Sequence, residues 1–356
     1  MLAAALDGAK LSRFQQQMLG ALNGAALALM TSIGHRAGLF DVMSRMRPAT
    51  SREIASEAGL DERYVREWLG ALVTSGVVEY APAGATYALP REHAALLTRA
   101  SRPDNMAATC QWIPVLGSVE DRILECFERG GGVPYSAYAR FHAVMAEESD
   151  QTVVAALVES IVPLAAGLPE ALARGIDVLD VGCGSGRAVN QLAAAYPTSR
   201  FTGYDISGEG IEAARAEARE RGLANVRFVV RDAAALGHAQ DFDCVTAFDA
   251  IHDQARPDRV LRGIADALRP DGVFLLQDIG GTSHVEADIA NPLGPFLYTI
   301  SCLHCMTVSL EAGGMGLGAM WGSERAQRML SEAGFGRVDV RRLPHDALNL
   351  YFIARK

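Results

Sequence analysis

The stretch Ile176–Gly186 decides most of what this chain can become. Ile176, Val178, Leu179 and Val181 read as a buried strand. Gly182, Gly184 and Gly186 then break the run, and an amphipathic helical pattern starts at once over Arg187–Tyr196. A strand, a tight turn and a helix in immediate succession are the first part of a βαβ unit, which commits the chain to a largely parallel sheet. Glycine in such a turn permits positive φ and lets backbone approach a ligand closely. The helix start behind it offers N–H groups and a partial positive charge. The turn reads as a ligand cradle.

The turn departs from the dinucleotide fingerprint. That fingerprint needs its third glycine three residues after the second, and Arg187 stands there, with Gly186 one position early. Asp180, at the strand end, adds negative charge where a pyrophosphate would lie, and suits a ligand carrying an ammonium group. Further strands follow, each ending in an acid. Arg200–Asp205 ends nineteen residues beyond Gly186, and its carboxylate can accept hydrogen bonds from both hydroxyls of a ribose. Asn225–Asp232 is followed by Ala233, and Asp243–Asp249 is the fourth strand. Helical patterns at Ser207–Arg221, Pro257–Leu268 and Ser323–Ala333 alternate with these strands, and Gly272–Asp278 supplies a fifth. Arg337–Leu343 and Leu348–Ala354, joined by Pro344-His345-Asp346, read as a terminal antiparallel pair. The expected fold is α/β: a doubly wound, seven-stranded, mostly parallel Rossmann-like sheet.

Val178-Leu-Asp-Val-Gly-Cys-Gly-Ser-Gly186 resembles motif I of the class I S-adenosylmethionine (SAM) methyltransferases. The resemblance implies that Asp180, Gly182, Gly184 and Gly186 cradle the methionine end of SAM. It places Asp205 and Ile206 at the ribose, Asp232 and the Ala233 N–H at the adenine, and Asp249 on the pocket floor. The product would be S-adenosylhomocysteine.

The chain's 356 residues suffice for two domains, and a net charge of −9 argues against a general nucleic-acid binder. Cys110, Cys126, Cys183, Cys244, Cys302 and Cys305 are scattered, as reduced thiols in a cytoplasmic protein would be. The N-terminus lacks a basic region before its short apolar start, so no secretory signal is read. Phe14–His35 holds no Asp, Glu, Lys or Arg, but its glutamines, Asn23, Thr31 and Ser32 argue against a membrane span. Phe14, Met18, Leu22, Leu29 and Ile33 recur at helical spacing, which predicts a buried helix packing against a second subunit.

Thr50–Leu60 reads as a capped short helix with a glycine turn, Asp61–Val73 as a second helix, and Gly76–Tyr80 with Ala85–Leu89 as a hairpin. The set resembles a winged helix-turn-helix, a DNA-binding motif. Residues 50–90 carry three basic and six acidic side chains, a net −3 that is poorly suited to phosphates. In many small-molecule O-methyltransferases the same module dimerises and covers the active site, and that role is expected here. The expected domains are a helical winged-helix dimerisation domain over 1–100, a helical linker and lid over 101–174, and a catalytic domain over 175–356. The linker brings Tyr135, Phe141 and Met145, and the insertion Gly280–Gly322 brings His304 and Trp321, as candidate acceptor contacts. Cys302-x-x-Cys305 lacks a second ligand pair at zinc spacing, and no metal is expected.

Phe248-Asp-Ala-Ile-His-Asp-Gln254 lies at the fourth strand's carboxyl end. It resembles the His-Asp segment of plant and bacterial O-methyltransferases, although Gln254 stands where those have tryptophan. The resemblance makes His252 the base that deprotonates an acceptor hydroxyl, with Asp253 orienting or stabilising the ring. A histidine near neutral pKa suits that task. The other reading is that His252 packs beneath the cofactor. Residues 14–356 also resemble the winged-helix SAM methyltransferases of mycobacterial and actinomycete type, through Ala26–His35, Arg63–Leu69, Gly132–Ser136 and His304–Leu310. The expected activity is methyl transfer to a small molecule at oxygen. The alternatives are transfer to nitrogen or carbon, or a regulator that senses SAM.

Overall fold

A computed structural model describes residues 6–102 and 105–356. The first five residues of the expected N-terminal domain and residues 103–104 of the expected linker lie outside the described residues. Two compact units, Met1–Pro114 and Val115–Lys356, divide the chain.

In the first unit, Asp7 caps the helix Gly8–Arg36 by accepting from the N–H groups of Ala9 and Lys10. A short helix Leu39–Arg45 and strand β1 (Ala49–Thr50) follow. Thr50 and Glu53 form a reciprocal capping box on Ser51–Ala58, and Gly59 ends that helix in the left-handed conformation. Asp61 caps Glu62–Thr74, and strands β2 (Glu79–Ala81) and β3 (Thr86–Ala88) make the hairpin, with β3 also pairing β1. The core gathers Leu39, Phe40, Ile54, Val65, Trp68, Leu69 and Leu72. Gly34 is required there, because a Cβ would lie 2.5 Å from the Trp68 ring. The first helix corrects one expectation. Within the chain it is not buried: Phe14, Met18, Leu22, Leu29 and Ile33 are 42–67% exposed, and only its last turns pack inward, around Thr31, Ser32 and His35. Among the described residues no helix is long and apolar enough to cross a membrane.

The second unit holds a seven-stranded sheet. Its strands are β4 (Asp177–Val181), β5 (Arg200–Asp205), β6 (Val226–Val230), β7 (Phe242–Phe248), β8 (Leu268–Ile279), β9 (Arg337–Leu343) and β10 (Asp346–Arg355). Their spatial order is β6-β5-β4-β7-β8-β10-β9, with β10 antiparallel to both neighbours and the other pairs parallel. Helices cover both faces, over two cores centred on Leu179, Val245, Ile264 and Phe274, and on Leu157, Val178, Phe201 and Tyr351. This is the doubly wound Rossmann-like sheet, and the helical winged-helix unit precedes it in the chain. The chain winds outward from β4 to β6, then crosses to β7 on the other side of β4. That switch point opens a crevice at the carboxyl ends of the strands, where ligands bind in such sheets.

The helices from Glu120–Arg129 onward belong to this second unit. The helix expected near Thr152–Leu168 starts earlier, at Phe141, widens into π-helical turns at Asp150–Val154 and Leu157–Ile161, and ends at Leu164.

Candidate active site

The glycine turn sits at the switch point. Gly182, Gly184 and Gly186 have φ of 75°, 53° and 70°. A Cβ on Gly182 would lie 2.5 Å from that of Ala250, and one on Gly186 would lie 2.5 Å from that of Ala214. A Cβ on Gly184 would meet nothing within 4 Å, so this glycine faces open space. The turn's own amides are largely engaged in the fold. Gly182 and Cys183 donate to the Tyr204 carbonyl, Gly186 to the Cys183 carbonyl, and Gly184 to Asp205 Oδ2 at 2.8 Å. The polar character this leaves for a ligand comes from the strand-end acids. Asp180 is buried beneath the turn and accepts from the Thr246 hydroxyl. Burial pushes its pKa up to about 7, against the Thr246 bond. A buried carboxyl poised near neutrality favours a cationic partner.

Asp205 ends β5 half-buried, and its Oδ1 accepts from the Ser207 N–H at 2.7 Å. Ile206 beside it is 72% exposed. Asp232 is exposed after β6 and caps the turn Ala233–Ala235 through Ala234, while Ala233 is buried. These positions line the same rim of the sheet as the glycine turn, which fits a ligand with an ammonium at one end and hydroxyls farther along.

The second cluster lies at the ends of β7 and β8. His252 is 3% exposed, and its Nδ1 lies 2.8 Å from Asp278 Oδ1. Burial alone would lower the pKa of this ring, but the Asp278 carboxylate outweighs it and holds the imidazole well above its ordinary range. Asp278 Oδ1 also accepts from the Trp321 indole at 3.1 Å and from the Ile279 N–H. The acid hydrogen-bonded to His252 is Asp278 and not Asp253, which corrects the expectation that Asp253 orients the ring; Asp253 accepts from the Tyr135 hydroxyl and interacts with His252 by charge alone. Burial raises Asp253 to about 6 and Asp249 to about 7, and Asp249 Oδ1 stands 3.8 Å from His252 Nδ1. Asp249 itself has a φ of 54°, and its N–H donates to the Gln277 carbonyl.

An aromatic cluster adjoins this pair. Phe141 stacks on His304 with ring centroids 4.1 Å apart, and Tyr135 and Tyr138 meet His304 edge-on at 5.1 and 4.9 Å. Burial lowers the His304 pKa to about 3, so the ring is neutral, and its Nε2 is buried without a partner among the described residues. Met145 lies half-buried one turn beyond Phe141. Trp321 belongs to the Asp278 group and not to the aromatic cluster. A glycine-rich strap fastens the Tyr135 side. The Val133 N–H donates to the Thr307 hydroxyl and the Tyr138 hydroxyl to the Leu303 carbonyl. Sequence reasoning missed Asp278 and Thr246 and saw Tyr138 only as one of the aromatics clustered before the long helix; Asp278 shows itself only as the acid at the end of the fifth strand.

Comparison with known proteins follows this division of the chain. Residues 25–99 match the Rv2258c-like winged HTH domain, and residues 172–334 match a methyltransferase domain. A fatty-acid O-methyltransferase of Mycolicibacterium smegmatis is 36% identical over 105 residues, 29% of this chain and 37% of the relative. A ubiquinone biosynthesis O-methyltransferase of Actinobacillus pleuropneumoniae is 33% identical over 114 residues, 30% of this chain and 47% of the relative. The chain thus spans less than half the length of these curated relatives. Human N-acetylserotonin methyltransferase, solved with SAM, superposes with a TM-score of 0.70 at 17% identity, covering 100% of this chain and 99% of that one. The mitomycin 7-O-methyltransferase gives 0.70 at 18% identity, covering 98% and 100%. At such identities the likeness is one of fold.

Proposed function

We propose that this chain, an Rv2258c-like winged HTH domain followed by a methyltransferase domain, transfers a methyl group from SAM to a hydroxyl oxygen of a small molecule. The observation that supports this best is the His252–Asp278 pair at the carboxyl ends of β7 and β8, on the same rim as the glycine turn and the strand-end acids. SAM, when bound, supplies a sulfonium-activated methyl group, so the protein's work is to position the acceptor and manage one proton. Asp180 faces the ammonium, Gly182, Gly184 and Gly186 admit the methionine end, and Asp205 with Ile206 takes the ribose. Asp232 and Ala233 meet the adenine, and Asp249 closes the floor. Asp278 holds the hydrogen on Nδ1 of His252 and, by the same charge, keeps the resting ring an imidazolium; once that ring has lost its Nε2 proton, Nε2 is the atom left to take the acceptor's proton. Tyr135, Phe141, Met145 and His304 line the acceptor side, and Trp321 acts there through Asp278.

The winged unit serves pairing in place of DNA reading. Arg63 is paired with Glu67, and Arg66 lies 3.4 Å from Glu62, so the second helix offers few free cations to phosphate. The exposed apolar face of Gly8–Arg36 is the surface a second copy would cover. The test is formation of S-adenosylhomocysteine from SAM across a panel of hydroxylated compounds and their amino analogues. Turnover with hydroxyls that fails in His252→Ala supports the reading. Turnover confined to the amines sinks it.

A further inference from the structure

Asp249, His252 and Asp278 share a geometry that proton transfer alone does not require. One ligand atom from each lies within 4.8 Å of the other two. His252 Nδ1 is 2.8 Å from Asp278 Oδ1 and 3.8 Å from Asp249 Oδ1. Ligands held about 2.1 Å from one ion stand roughly 3–4 Å apart; the Asp249–His252 separation lies in that range, and the shorter contact to Asp278 is a hydrogen bond that ligation would replace. Among the described residues, Asp249 Oδ1 and Asp278 Oδ2 are buried without a hydrogen-bond partner, and the Asp278 side chain is 1% exposed. A buried carboxylate oxygen lacking a donor is costly; Asp278 Oδ1 is already occupied, and a single cation taken by Asp278 Oδ2 and Asp249 Oδ1 would satisfy both orphans. The Trp321 indole and the Ile279 N–H already hold Asp278 from outside, as the supporting partners of metal ligands do.

We propose that Asp249, His252 and Asp278 form a binding site for a first-row divalent transition-metal ion, of which Zn²⁺ is the best probe. An imidazole with two carboxylates suits Zn²⁺, Mn²⁺ or Fe²⁺ better than Mg²⁺ or Ca²⁺. Water or the acceptor fills the remaining positions. The ion and the proton exclude one another. The resting ring is an imidazolium, so ligation at Nδ1 sends the proton now directed at Asp278 to solvent and leaves the ring's second hydrogen on Nε2. That ring can no longer accept a proton from the acceptor. Where the proposed role of His252 holds, the bound ion is an inhibitor of transfer; binding itself does not rest on that role.

The test uses the full chain, freed of metal by a chelator and titrated with ZnCl₂. One saturable site per chain in calorimetry, a raised melting temperature, and an anomalous peak among these three side chains in a Zn²⁺ crystal are expected. Asp249→Asn should weaken the Zn²⁺ affinity at least tenfold, a loss of the size seen when a ligand's surroundings are altered. The anomalous peak on the unaltered protein decides the matter if that variant does not fold. Absence of saturable binding, equal stabilisation by MgCl₂, or an ion bound instead by His284 with Glu324 or by the Cys302 and Cys305 thiols overturns the proposal. None of these readouts involves methyl transfer, so a failure here and a failure of the transferase reading are separable.

Discussion

Asp180→Asn tests how the cradle recognises its ligand. Burial pushes the pKa of the wild-type carboxyl up to about 7, and the proposed function has it face the ammonium of SAM. Before binding, a carboxyl with its pKa near 7 is mostly protonated at pH 6 and mostly ionised at pH 7.5. If the complex requires the carboxylate, affinity rises several-fold over that interval, on the order of 1 kcal/mol. The sign follows from the direction of the shift: burial raises the pKa in the free protein, the ammonium lowers it in the complex, and binding therefore releases a proton. At pH 6.5 the release approaches about three-quarters of a proton. Calorimetry with SAM in two buffers of different ionisation enthalpy reads both quantities, and comparison with Asp180→Asn removes the contribution of the cofactor's own amine, which titrates at roughly pH 8. Asp180→Asn should bind SAM at least roughly tenfold more weakly at pH 7.5, the loss of one charge-assisted bond. It should also lose the pH slope and the proton release. A wild-type affinity that is flat between pH 6 and 7.5, or a slope that survives in Asp180→Asn, would refute the assignment of this carboxyl to the ammonium.

His252→Ala should lower turnover at saturating SAM by roughly 10²–10⁴-fold with SAM affinity little changed, whereas a ring that merely packs under the cofactor predicts the reverse. Asp278→Asn should fall further than Asp253→Asn in the same parameter, because Asp278 holds Nδ1 while Asp253 holds Tyr135; the opposite ranking removes Asp278 from the dyad. Gly132→Ala should destabilise the second unit by about 2 kcal/mol, since its Cβ would stand 1.9 Å from the Thr307 carbonyl oxygen and 2.3 Å from the Glu311 nitrogen. An unchanged melting curve would mean that the strap is not packed there.

The glycine turn and the strand-end acids were legible in the sequence because each depends on residues a few positions apart. The strand Asp177–Val181, the positive φ of its glycines and the terminal hairpin are local consequences of that pattern. Asp278 was not legible as a site residue. It comes beside His252 only because β7 and β8 pair with Phe248 opposite Gln277, a register set by the sheet. The same register brings Asp249 to the pair, so a ligand set drawn from three side chains formed where a search for cysteine spacing could not find it. Tyr135 and Asp253 meet across 118 residues, and that contact reassigned Asp253. The apolar spacing of Phe14, Met18 and Leu22 gave a helix correctly, but periodicity marks a face without saying what covers it.

The most direct measurement is a calorimetric titration of the full chain with SAM, S-adenosylhomocysteine and NAD in turn. One site per chain for SAM and its demethylated product, with a Kd in the micromolar range or about −8 kcal/mol, is expected, together with no heat from NAD. Tight NAD binding with no response to SAM or S-adenosylhomocysteine would contradict the cofactor assignment and the methyl-transfer reading that rests on it.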